Sequence, residues 1–246
     1  MMPARALFTV SIRQALPRRR TIILLLLQSA PVLVYLLATQ NRTSGAAARS
    51  AVEVGAAVFF ALVLPITAIM IAAGVLGNER RDLTMSFIAL RPMPRSVIAA
   101  AKLFAAIAAA SAVISTGAIA LGVVHGIRFD EWTLLPALVI GGLVATAVYA
   151  AIYVPLGFIT DRAVIIGIAL LLVFENGVAA VLTGLAFLSP WRIGVSVFAG
   201  LFPDAEQILD SNAAPYSFAD AAIFTIAYLV LSIGVTTLLL RTRDLT

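Results

Sequence analysis

Glu175, in the run LLLVFENGVAAVLTGLAFL, places a carboxylate near the middle of a long apolar stretch. On insertion scales an acidic side chain at such a depth costs about 2.5–3.5 kcal/mol, the value for Asp at a helix centre. Such a group can contact a substrate, carry a proton, or hydrogen-bond a neighbouring helix with Asn176 beside it. A protonated Glu held structurally by another helix or a second copy of the chain fits the same residues equally well. The second concentration of reactive types is GNERRDLTMSFIALRPMPRSVIAAAKL, residues 77–103, which gathers Glu79, Arg80, Arg81, Asp82, Arg91, Arg95 and Lys102 between two apolar runs. Leu83, Phe87 and Leu90 recur there at i, i+4 and i+7, with Ile88 widening the stripe, the spacing of an amphipathic helix.

Other chemistries lack their residues. There is no cysteine, so no disulfide, thiolate metal site or cysteine nucleophile. His125 is the single histidine, which rules out a multi-histidine metal centre within one chain. No GxxxxGK[ST] phosphate loop, HExxH helix or GxSxG elbow occurs, nor a cytoplasmic carboxylate cluster for metal-assisted lipid chemistry. His125 and Asp130 read as solvated residues of one outer loop. The chain is therefore expected to be no enzyme, and to hold no metal or cofactor.

The elements that must position these residues are membrane helices. The 246 residues are 62% hydrophobic and 12% charged, half the roughly 25% charge of a soluble domain. Apolar runs long enough to cross a core of about 30 Å recur at about 21–39, 53–76, 97–124, 133–159, 164–189 and 220–240. The first follows Arg18–Arg20 and is too long for a signal-peptide core, so it reads as a retained span. With both termini inside, the inner segments carry thirteen basic residues and the outer ones four: Arg42, Arg49, Arg128 and Arg192. That bias places the 77–96 segment on the cytoplasmic face. The net charge of +5 belongs to this membrane-surface pattern, and nucleic acid is not an expected partner.

Three pieces lie outside the spans. Residues 3–16 put Phe8, Ile12 and Ala15 on one face of an interfacial helix that Pro17 stops. Residues 43–51, TSGAAARSA, read as a flexible outer turn. Residues 190–219 are too apolar for a solvated loop, and their middle, IGVSVFAGLF, is too short to cross, the pattern of an outer re-entrant or interfacial hairpin. Pro31, Pro65, Pro136 and Pro155 sit within or at the ends of spans, where kinked packing or hinge motion both fit. Gly141, Gly142 and Ala145 offer a close helix contact, and Trp132 and Trp191 suit interfacial anchoring.

Within 77–103, Pro92 and Pro94 must end the short helix and are hinge candidates. Ser96 then suits an N-cap for the third span, and Lys102 suits snorkelling back to the inner interface. An ordinary positive-inside loop would account for the charge. It would not account for Leu83, Phe87, Ile88 and Leu90, each worth roughly 1.5–3 kcal/mol when buried rather than left in water. Lipid or a partner protein must cover them.

This stretch resembles the segment after the second span of ABC-2-type transporter permeases, an acidic residue, a Thr, two aliphatics, a Pro, a basic residue and a Lys in that order. Here these are Glu79, Thr84, Ile88 with Leu90, Pro92, Arg95 and Lys102. The family often has Gly before the Thr and Glu two residues after it, where this chain has Leu83 and Ser86. The interfacial helix, six spans and outer re-entrant region resemble the family's layout, and many of its permeases carry a Glu near the position of Glu175.

The resemblance implies an all-α, single-domain permease of an ABC exporter in a bacterial cell membrane. Residues 79–91 would form the coupling helix that docks on a cytosolic ATPase, with Glu79, Arg80, Arg81, Asp82, Leu83, Thr84, Phe87, Leu90 and Arg91 carrying the contact. ATP and Mg2+ would be bound by that ATPase, and two permeases would pair with two ATPases in the lipid bilayer. The rival expectation is an ATP-independent secondary carrier that uses Glu175 for proton coupling.

Overall fold

The computed structural model describes residues 2–40, 43–81, 93–173, 188–209 and 213–242. All regular structure among them is helical. Five helical stretches are long and apolar enough to cross a membrane: 18–38, 44–80, 95–129, 134–159 and 218–242. The expected fifth span, 164–189, begins as an eleven-residue helix; its residues 174–187 lie outside the described residues, and Ser189 at its far end already caps the next helix.

Helix α1 (Met2–Ala15) ends before Pro17, whose carbonyl accepts the Thr21 N–H at 3.0 Å and so opens α2 (Arg18–Leu27). The buried face of α1 is Leu7, Ser11 and Ala15, with Phe8 and Ile12 half-buried beside it. The expected stripe is thus rotated, because the helix lies against the bundle as well as along it. A turn at Gln28 separates α2 from α3 (Ser29–Ala38), and Pro31 fits the first turn of α3, where its missing N–H costs no bond.

Residues 43–51 are not a flexible turn. They form most of α4 (Ser44–Val54), with Ala47, Ala48, Ser50 and Ala51 buried and Arg49 paired to Glu53 at 3.0 Å. Small side chains here serve close packing, and alanine is the best helix former. The helix runs on through a wide π-helical stretch, Gly55–Val63, into α5 (Leu64–Arg81). At 1.5 Å per residue this run is about 55 Å long, well beyond the hydrocarbon core. The π stretch lets adjacent Phe59 and Phe60 both turn inward, edge to face at 5.1 Å.

α6 (Arg95–Phe129) starts from Pro94 in extended conformation, so Ser96 falls in the first turn and is not the cap. It stops at Asp130, whose left-handed φ of 56° is one that Asp adopts more readily than most residues. α7 (Leu134–Ile159) follows, then α8 (Ala163–Val173), then two short helices, α9 (Pro190–Leu201) and α10 (Pro203–Ile208), and finally α11 (Phe218–Thr242). Ser189 caps α9, its hydroxyl accepting the Arg192 N–H at 3.2 Å, with Pro190 at the first position. Before α11 the Tyr216 N–H donates to Ser196 at 3.2 Å, and burial pushes the Tyr216 phenol up to about 12.

α7 is the hub, packed against α5, α6, α9 and α11. It gets there by lacking side chains at two crossings. A Cβ on Gly141 would stand 2.9 Å from the Gly194 carbonyl of α9, and one on Gly157 would collide with the Ala73 carbonyl of α5. The expected close contact at Gly141 is present. α2, α3 and α11 lie at the edge, with Ile23, Leu26, Leu37, Ile223, Val230 and Leu238 exposed toward the surroundings.

Gly157→Ala is therefore expected to push α7 off α5 and cost about 1–3 kcal/mol, the usual price of overpacking. Gly234, which faces open space on α11, gives the control: Gly234→Ala should hold or raise stability by up to about 1 kcal/mol. Thermal unfolding of both variants in detergent tests this, and equal melting points would refute the crossing.

Candidate functional site

The charged segment begins where α5 ends. Glu79, in the last turn of α5, is buried and accepts a hydrogen bond from the Lys102 ammonium, which is wholly buried on α6. Lys102 does not snorkel to the interface. Its side chain points across the helix pair, and a charge so placed is tolerable only with a partner of opposite sign.

Arg80 faces the other way. Its guanidinium donates to the Phe158 carbonyl at 3.0 Å and stands 3.9 Å from the Asp161 carboxylate. Phe158 is among the last carbonyls of α7, which the helix itself leaves without an acceptor's partner. Arg80 thus caps α7, while its ion pair, half open to solvent, is worth little by itself. Together Glu79 and Arg80 fasten the end of α5 to α6 and to the α7–α8 turn.

Of the expected coupling residues, Asp82, Leu83, Thr84, Phe87, Leu90 and Arg91 lie outside the described residues, as does the hinge candidate Pro92. Pro94 is described, and it launches α6 with its carbonyl accepting the Val97 N–H at 3.0 Å. Arg81 is the last residue of α5. Glu175 and Asn176 also lie outside the described residues, just past the end of α8. The structure thus joins Glu79 to Lys102 and Arg80 to Asp161.

At the opposite end of α6 is a cluster that the sequence reading put in solvent. His125 is fully buried inside α6, hydrogen-bonded through Nδ1 to the Tyr35 hydroxyl at 2.6 Å and through Nε2 to Glu131 at 3.1 Å. Phe129 and Phe202 flank its ring, at 5.5 and 6.4 Å between centroids. Arg128 donates to the Thr39 hydroxyl at 3.0 Å, a second tie between α6 and the end of α3. The available signal was VVHGIRF, which continues the helical period of the third span past residue 124.

Two more polar contacts lie between these ends. Gln28, at the break between α2 and α3, donates to Thr67 of α5 at 2.9 Å, while its buried side-chain oxygen has no hydrogen-bond partner among the described residues. Trp191 donates to the Ala56 carbonyl at 3.1 Å, in the π stretch, so it fastens α9 to the second span rather than only anchoring at an interface.

A sequence-family model described as "ABC-2 family transporter protein" matches residues 17–177, well over half of the chain. The matched region contains Glu79, Arg80, Lys102, His125 and Glu175. No curated protein matches the chain.

Lys102→Met is expected to cost about 3–5 kcal/mol, because it strands the Glu79 carboxylate in the interior. Glu79→Leu with Lys102→Met should recover most of that loss, since replacing a buried pair by apolar groups is often neutral or stabilising. Unfolding measurements on the two singles and the double decide it, and additive losses would rule out the pairing.

Proposed function

The chain belongs to the ABC-2 transporter family, and from that premise we propose that it is the permease of an exporter driven by a separate cytosolic ATPase. A permease of this family is the transmembrane component of an ABC transporter and is not itself the hydrolase. The chain is accordingly a multi-pass membrane protein, and the family implies an ABC ATPase as partner.

The observation that carries the coupling reading is the way both ends of the 82–92 segment are rooted. It leaves α5 just after Glu79 and Arg80 and enters α6 through Pro94, and the Glu79–Lys102 pair joins those two helices near the same level. A load on the segment therefore reaches a clamped pair of helices rather than a loose loop. In the cycle we envisage, ATP and Mg2+ close a pair of ATPase subunits, and residues 79–91 move with them. Two permease copies then shift between inward-open and outward-open populations. Six spans, with both termini cytoplasmic and α1 in the inner interface, complete the arrangement. α9 and α10 form the outer re-entrant hairpin in this reading. Glu175, with Asn176, is the intramembrane polar contact on the transport path.

Co-purification with a co-expressed cytosolic ABC ATPase, sought first in the gene neighbourhood, tests the docking. Arg81→Glu with Phe87→Ser is expected to weaken retention of the ATPase at least tenfold while leaving the permease folded. Full retention, with permease-stimulated ATP hydrolysis unchanged, would overturn the coupling assignment. Glu175→Gln is expected to keep the assembly intact and lower transport in proteoliposomes, and wild-type transport would leave Glu175 only a structural role.

A further inference from the structure

A cavity of about 200 Å³ opens between α2, α5 and α8, at the end of the bundle where Glu79 and Arg80 lie. It is lined by Arg20, Met70, Gly74, Gly77, Thr160 and Asp161 among others. The Arg20 guanidinium occupies space that a side chain at position 74 would exclude. Its Nη1 lies 2.9 Å from where a Cβ on Gly74 would stand. Exposed Arg18 and Arg19 precede it on α2, and Arg80 stands 3.9 Å from Asp161, so among the described residues at this end of α2 and α5 arginines outnumber the carboxylates of Glu79 and Asp161.

The walls change character along the same helices. Ile22, Ile23 and Leu26 of α2, and Ile165 and Ile166 of α8, are exposed apolar side chains. They begin two residues beyond Arg20 on one side and four beyond Asp161 on the other. A ligand suited to this place is polar and anionic at one end and apolar at the other. The cavity is smaller than the roughly 300–1,000 Å³ of pockets that enclose a whole drug-sized ligand. It fits a headgroup whose chains remain outside.

We propose that this cavity binds the headgroup of a glycerophospholipid from the leaflet beside the chain's N-terminal end. The Arg20 guanidinium holds the phosphodiester, and the acyl chains lie over Ile22, Ile23, Ile165 and Ile166. A guanidinium presents a planar fork of donors that matches phosphate oxygens two at a time. Basic pockets between membrane helices are a known means of holding lipid headgroups. Thr160 adds a hydroxyl at the same wall, and Asp161 gives an ammonium-bearing headgroup a counter-charge.

The test uses the purified full chain in detergent, with thermal unfolding followed by tryptophan fluorescence. Dioleoyl phosphatidylethanolamine, dioleoylglycerol and inorganic phosphate are added in separate arms. The phospholipid is expected to raise the melting temperature by several degrees, and the other two to leave it unchanged. Arg20→Gln should abolish that shift and Arg18→Gln should keep it. Gly74→Ala retains every charge but displaces the guanidinium, a flexible side-chain end, and should also abolish it. This variant decides the matter if Arg20→Gln fails to fold. A wild-type shift in Gly74→Ala would overturn the proposal, as would a full shift with inorganic phosphate or with dioleoylglycerol. No ATPase enters the assay, so its failure would leave the transport reading standing.

Discussion

The buried pair of Glu79 and Lys102 is the constraint around which one end of this bundle is arranged. Taking each ion out of water costs several kcal/mol even after relaxation, and the attraction between them offsets this only in one geometry. Sliding α5 past α6 by one helical turn, about 5.4 Å, would strand both charges. The pair therefore contributes less to net stability than to register. Register is what the neighbouring contacts need, because Arg80 reaches the Phe158 carbonyl only with α5 at this height against α7.

The rest of the bundle holds together without the force that packs soluble helices. Lipid tails are as apolar as leucine, so helix association in a membrane relies on close van der Waals contact and on hydrogen bonds between helices. Both devices are visible. Gly141 and Gly157 let α7 approach the backbones of α9 and α5. Gln28 with Thr67, Tyr35 with His125, and Trp191 with Ala56 each join two elements through one polar contact.

The spans were legible because hydrophobic length is a one-dimensional property. The runs at 97–124 and 220–240 correspond to the helices 95–129 and 218–242, which extend beyond them, and the run at 133–159 to the helix 134–159. What needed three dimensions was the direction in which polar side chains point. Lys102 reads as a snorkelling residue because sequence shows its distance from the span's end but not that its face meets α5. His125 reads as a loop residue because the helical period was cut at 124, one residue short of it. The alanines of 43–51 read as flexible because small side chains suit both loose turns and tight packing, and only the neighbours distinguish the two. Glu79 with Lys102 was grouped by resemblance, and the physical reason, a shared buried bond, emerged only from the fold.

Lys102 and His125 lie on one helix, 23 residues or about 35 Å apart. The first fastens α6 to the second span at the end where the charged segment enters. The second fastens α6 to the first span at the far end, with Phe202 beyond α9 against the same ring. A displacement of α6 along its axis cannot be absorbed at either end without breaking a buried polar contact. It must instead carry the first and second spans with it or rotate about these two fixed points. The apolar contacts between them are individually weak and easily exchanged. Rotation about two polar anchors thus costs less than translation along the helix axis.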